Sequence, residues 1–251
     1  MEDGNPFVMR VIQIAFVMAM AALWWWVSES KLISPLFLPS IPVVWGALSG
    51  LVVTGPFWST VWITLATLLR AYALAAILGV LVGYLVTRSR FLTDVFEPVI
   101  ANVFTIPIIL FFPLFLLFFG VGPASKIAYG ALYGFFPIAL NTIAGLSNVD
   151  RRYLWASRSM GLSAYGQFRH VLFPSAFPII LTGLRIGFFV CFASVLGGEE
   201  LSASGGVGYR IAHYAELMDA GRMYAWIVFV VFVSVTLNFL VSWLEGRIRE
   251  T

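Results

Sequence analysis

Apolar residues run along the chain in six long blocks separated by short polar breaks, near Val11 to Val27, Val61 to Val86, Val99 to Phe119, Ile127 to Leu146, Ser175 to Leu196 and Tyr224 to Leu244. Each block approaches the roughly 20 apolar residues that carry a helix across the hydrocarbon core of a bilayer. The pattern therefore predicts an all-α, polytopic membrane protein with about six transmembrane helices. The first block ends in Trp24, Trp25 and Trp26, as an interfacial aromatic belt does, and lacks an Ala-x-Ala cleavage pattern. It predicts an uncleaved helix rather than a signal peptide. Between the first two blocks, Pro35, Pro39, Pro42, Gly55 and Pro56 mark an outer loop, with a helical piece near Val43 to Val53 that is too short to cross.

One break differs from the others. From Asp150 to Pro174 the chain carries Arg151, Arg152, Arg158, Arg169 and His170, between long stretches that are nearly free of charge. Helix-forming residues on both sides of Gly161, with a breaker at Pro174, predict two short helices joined by a turn outside the bilayer. Such a loop is a surface for another protein. Basic residues accumulate in cytoplasmic loops. With the N-terminus inside, nine fall on the cytoplasmic side (Arg10, Arg88, Arg90, Arg151, Arg152, Arg158, Arg169, Arg247, Arg249) and four outside (Lys31, Lys126, Arg210, Arg222). The island and both termini are thus expected in the cytoplasm.

Composition narrows the chemistry. The 251 residues are 61% hydrophobic and 11% charged, with mean hydropathy +0.94. Soluble domains carry about 25% charged residues, so the lipid bilayer is the main solvent. A net charge of +3 is too small to point to nucleic acid. A single cysteine, Cys191, and two histidines, His170 and His213, exclude a disulfide framework and a thiolate or His-rich metal site. No Walker pattern occurs, so ATP, if used, binds to another chain and no cofactor is expected on this one. No internal repeat or linker divides the sequence, which reads as a single membrane domain over residues 1–251.

Other features invite a functional reading. Two prolines, Pro107 and Pro113, fall within the third block and predict a kink. Phe104, Phe111, Phe115 and Phe118 recur there at near-helical spacing, as packing or lipid contact, or as an aromatic constriction on a transport path with Phe111 and Phe115 at its centre. After the fifth block come Glu199, Glu200, Gly205, Gly206 and Gly208. Either this is a plain turn, or Glu199, Gly206 and Gly208 belong to a moving gate, followed by a short interfacial helix from Tyr209 to Leu217. Arg70 and Arg185 lie within or beside spans. They either snorkel or pair, or they meet an anionic substrate.

At Ala156-Ser-Arg-Ser-Met-Gly161, followed by Val171-Leu-Phe-Pro174, the island resembles the cytoplasmic coupling loop of permease subunits in bacterial ATP-binding-cassette importers. Asn141-Thr, Pro174-Ser-Ala-Phe-Pro178, Arg70, Leu38-Pro39-Ser40 and the Glu199 to Gly208 segment are similar to the branch serving nitrate, sulfonate and taurine importers. The resemblance implies a type I importer permease fold with an extra N-terminal helix (11–27), a permease core (61–244) and a coupling loop (150–174). It implies cytoplasmic ATPase subunits, a periplasmic solute-binding protein and a second copy of the chain as partners. It also implies an inner-membrane location and a role in transport rather than catalysis. The ATPase-coupling residues would be Trp155, Ala156, Ser157, Arg158, Ser159, Met160, Gly161, Leu162 and Tyr165. Trp155 stands where the family has glutamate, and Ser157 where it has its second alanine. The substrate implied is a sulfonate, taurine, nitrate or similar anion, with a heterocycle such as a thiamine precursor as the alternative. An ion-coupled secondary transporter is the rival class, and neither its repeated halves nor its midplane acidic pair is present in the sequence.

Overall fold

The computed structural model describes residues 6–202 and 205–249 and is helical throughout, with no strand among the described residues. The helices are α1 (Pro6–Glu29), α2 (Ile41–Val52), α3 (Gly55–Val86), α4 (Arg90–Phe104), α5 (Phe112–Phe119), α6 (Pro123–Ser147), α7 (Arg151–Ser159), α8 (Ala164–Gln167), α9 (Phe173–Leu201), α10 (Val207–Glu216) and α11 (Ala220–Arg249). Five helical stretches are long and apolar enough to cross a membrane, and a sixth is added if the bent pair Arg90–Phe104 and Ile108–Phe119 forms one span. The short apolar helix expected between the first two spans is α2, started by Ser40 with Pro42 in its first turn, where a missing N–H costs nothing.

The backbone packs as two units, residues 1–59 with 210–234, and residues 60–209 with 235–251. In the first unit α1 exposes almost its whole length, as a lipid-facing helix does. Its C-terminal end is tied by the Trp24 indole, which donates to the Pro39 carbonyl at 3.1 Å. Trp24 also lies 5.9 Å from Tyr224, whose hydroxyl donates to the Phe37 carbonyl at 3.0 Å. Elsewhere in this unit, Phe57 stacks on Trp226 at 4.6 Å and meets Phe229 edge-on at 4.9 Å.

The second unit is built on α6 and α9, which lie against each other along their length. Small residues permit the approach: a Cβ added to Gly134 would lie 3.0 Å from the Gly187 carbonyl, and one added to Gly187 would lie 3.0 Å from that of Gly134. Leu68, Ala75, Ile138 and Cys191 form the core of this unit. The Cys191 thiol donates to the Gly130 carbonyl at 3.2 Å.

Two sequence expectations are corrected here. The third apolar block is not one kinked helix but two helices bent by 78°. Proline drives its predecessor out of the α region, so Pro107 ends α4 early. A 3₁₀ turn over Ile108–Phe111 follows, and Pro113 then sits in the first turn of α5. Phe104, Phe111, Phe115 and Phe118 are therefore not on one helix. Pro174 is likewise no breaker. Helix runs from Ala164 to Leu201 through a π turn at Phe168–Leu172, where the Phe173 N–H bonds to the Phe168 carbonyl. Pro174 lies where α-helix resumes, in a first turn that tolerates it.

Candidate functional site

The polar island folds from its own side chains. Asp150 caps α7 by accepting the Arg152 N–H at 2.9 Å. The helix ends in a Schellman turn: the Gly161 N–H donates to the Arg158 carbonyl at 2.9 Å and the Leu162 N–H to the Ser157 carbonyl at 3.1 Å. Such a turn needs a left-handed residue just past the cap, and Gly161 supplies φ +75°. Beyond its chain neighbours, no atom of the described residues lies within 4 Å of a Cβ placed there, so backbone geometry rather than a clash requires the glycine. Ser163 then caps α8, accepting the Gly166 N–H at 3.2 Å.

Of the residues assigned to this loop, Ser157 is buried, its hydroxyl donating to the Leu154 carbonyl at 2.9 Å. Leu162 is half-buried. Ala156, Arg158, Ser159 and Gly161 are exposed. Trp155, Met160 and Tyr165 are exposed by 62%, 78% and 69%, beside Tyr153 at 62%. Four large side chains thus stand exposed on one charged loop. Trp155, expected to stand in place of a glutamate, is an exposed aromatic ring, and the turn that follows it is formed.

The second constellation surrounds Glu199, in the last turn of α9 and 1% exposed. The Thr64 hydroxyl of α3 lies 2.9 and 2.8 Å from the two carboxylate oxygens. The Gly208 N–H donates to the carboxylate at 3.0 Å, and the Val207 N–H donates to the Thr64 hydroxyl at 2.8 Å. Glu199 thereby ties the start of α10 to α3. The glycines are sized to this tie: Gly206 has φ +102°, and a Cβ on it would run into the Glu199 carboxylate. One on Gly208 would meet the Leu196 carbonyl. Gly206 and Gly208 therefore pack against the carboxylate, and the interfacial helix expected at Tyr209 to Leu217 is α10. Ala203 and Ser204, within the same segment, lie outside the described residues.

Sequence reasoning placed Lys126 in an outer loop, yet it is 3% exposed, and its ammonium donates to the carbonyls of Val121 and Gly122 at 2.7 and 3.3 Å. Neither this nor the role of Thr64 had a local signal, since Thr64 and Glu199 are 135 residues apart. Phe111 and Phe115 line one apolar groove of about 410 Å³ with Ile106, Leu114 and Phe118. Phe115 also meets Tyr129 at 5.7 Å. The structure does not bring this groove together with the island. Among the described residues no cluster of His, Cys, Asp and Glu could hold a metal ion.

One long helix thus carries a capped polar loop at one end and a buried carboxylate tie at the other, and its relatives are permeases of ATP-binding-cassette importers. The fold is similar to that of a chain in a structure of the MetNI methionine ABC transporter, with a TM-score of 0.63 at 24% identity, covering 83% of this chain and 97% of that one. More particularly, residues 75–250 match the binding-protein-dependent transport system inner membrane component family, and the chain belongs to it. It is 29% identical over 244 residues to the taurine transport system permease protein of Escherichia coli, covering 94% of this chain and 88% of that protein. It is 31% identical to the formylaminopyrimidine transport permease protein of Halalkalibacterium halodurans, covering 80% of each. It is also 31% identical to the nitrate import permease protein of Synechococcus elongatus, covering 74% and 67%. The protein is thus an inner-membrane permease subunit of an importer.

Proposed function

We propose that this chain forms, with a second copy of itself, the translocation path of an ATP-driven importer for a small anion such as taurine, another sulfonate or nitrate. The observation that carries the mechanism is the continuity of the polar island with a span. The Schellman turn at Gly161 fixes α7 against α8, and α8 runs without a break into the helix that ends at Leu201. A push on α7 therefore reaches α9 directly, and α9 is packed on α6.

In this reading α7, with Trp155, Met160 and Tyr165, seats in a cleft of a cytoplasmic ATPase subunit. ATP is bound and hydrolysed there, not on the permease. Closure of the ATPase pair moves two such loops together, and the α6 and α9 bodies rock as units. A periplasmic binding protein delivers the solute at the opposite side, where Glu199 holds the α10 segment. The orientation assigned from the basic residues, with the island and both termini in the cytoplasm, is part of the same proposal. A solute shifts such a two-state element only through differential contacts with its two states.

The test is uptake into proteoliposomes holding the permease, its ATPase subunits and the binding protein. ATP-dependent accumulation of a sulfonate, taurine or nitrate supports the reading, and accumulation driven by an ion gradient without ATPase refutes it. The similarity to a formylaminopyrimidine permease favours one competing substrate class, a neutral heterocycle, which the same assay distinguishes.

A further inference from the structure

Arg70, Lys126 and Arg185 lie within apolar helices of the second unit, and two of the three have partners. Lys126 donates to backbone carbonyls, and the Arg185 guanidinium donates to the Asn238 side chain at 2.6 Å. Arg70 is exposed and makes no hydrogen bond, ion pair or ring contact with any described residue. It sits near the middle of α3, with fifteen helical residues before it and sixteen after. The face around it is apolar: Ile63, Ala66, Ala73, Leu74 and Ile77 flank it at helical spacing.

An exposed guanidinium at this depth has three possible surroundings. Lipid is the costly one, because a charge at the bilayer centre is expensive and relief by snorkelling is limited by reach. At about 1.5 Å per residue Arg70 lies some 12 Å below Trp62, and a mid-span position is about 15 Å from either edge of the hydrocarbon core. A protein carboxylate is the second. Glu199 is committed to Thr64 and Gly208, and Glu200 is at the level of Thr64, about 9 Å further toward the outer end of α3. On α4, Asp94 pairs with Arg90, and Glu97 lies about 10 Å from the start of its helix against about 24 Å between Arg70 and the end of α3. The third is a water-filled path.

We propose that Arg70 lines the translocation path and holds the anionic group of the solute there. The proposal rests on the permease reading and deepens it, by naming the substrate as an oxyanion. A guanidinium is always charged, and its planar fork pairs with two oxygens of a sulfonate, nitrate or carboxylate. In a twofold assembly the path carries two such groups. Exposure to water keeps each interaction weak enough for the solute to leave.

The experiment needs no knowledge of the solute. Ala73, one turn from Arg70, is replaced by cysteine in a Cys191→Ala background, in the assembled complex in proteoliposomes. Its modification is timed with an anionic probe, sulfonatoethyl methanethiosulfonate, and a cationic one, the trimethylammonioethyl analogue. Both are expected to react, the anion faster. Arg70→Gln lowers the anion-to-cation rate ratio on the order of tenfold, and Arg70→Lys preserves most of it. No modification by either probe, with or without ATP, overturns the proposal, because the face then lies in lipid or a packed interface. A ratio unchanged in Arg70→Gln overturns it too. Retention of ATPase subunits on the tagged permease, read in the same preparations, reports on the permease assignment separately. An intact complex with a flat ratio refutes the role of Arg70 alone.

Discussion

Gly206 and Gly161 both have positive φ, at +102° and +75°, but their surroundings differ, and an alanine placed at each separates backbone strain from steric conflict. At Gly161 the new methyl meets no atom of the described residues within 4 Å beyond its chain neighbours, so the cost is left-handed backbone alone, about 1–2 kcal/mol. At Gly206 the methyl would occupy the place of the Glu199 carboxylate. Displacing that group forfeits charge-assisted hydrogen bonds worth a further ~1.5–3 kcal/mol. The expected totals differ by a factor of about two to three, which is roughly 10 °C against 4 °C in melting temperature for a chain of this size. Cys191 is fully buried and is the sole cysteine, so a thiol-reactive fluorogenic dye reads the opening of the second unit directly. In a Glu199→Ala background the obstructing atoms are gone, and Gly206→Ala should cost no more than Gly161→Ala, a coupling of about 1.5–3 kcal/mol in the double-mutant cycle. Equal melting shifts for the two single alanine variants, or a cycle without coupling, would refute the carboxylate tie.

Gly161→Val is expected to insert and fold yet lose ATP-driven uptake and grip on the ATPase, because a β-branched residue is an outlier at positive φ; normal uptake would remove the coupling role of the turn. Ser163→Cys in a Cys191→Ala background should resist an impermeant thiol reagent added outside intact cells and react in inside-out vesicles, and the reverse pattern would invert the proposed orientation. The Trp226 indole N–H is buried without a hydrogen-bond partner among the described residues. Trp226→Phe should therefore keep stability close to the parent while Trp226→Ala costs about 3–5 kcal/mol, and comparable losses in thermal melts would show that the ring N–H matters after all.

The spans were legible because lipid imposes a simple rule, a long apolar helix per crossing, and the polar island stood out for the same reason. Gly161 was legible as a turn because a Schellman cap is local chemistry, settled within six residues. Three features were not legible. The Glu199 tie depends on Thr64, far away in sequence, and on glycines whose packing partner no local pattern names. The break at Thr105 to Pro107 looked like a kink, because proline signals a disturbance of the helix but not the size of the angle. Pro174 looked like a stop because the same residue also opens helices, and only the π turn before it decides between the two.

That π turn sets an angular phase. Each helical residue advances the chain by about 100°, and the five-residue spacing from Phe168 to Phe173 inserts one extra residue between the loop and the span. The direction in which α7 and α8 present their aromatic rings is therefore indexed to the face that α9 lays on α6, as a gear tooth is indexed to its shaft. Removing a single residue between Phe168 and Leu172 would leave both halves well folded and turn the loop by about a quarter-circle relative to the span. Chimeric permeases that join the loop of one relative to the span of another must therefore conserve this count, even where every contacting residue is preserved.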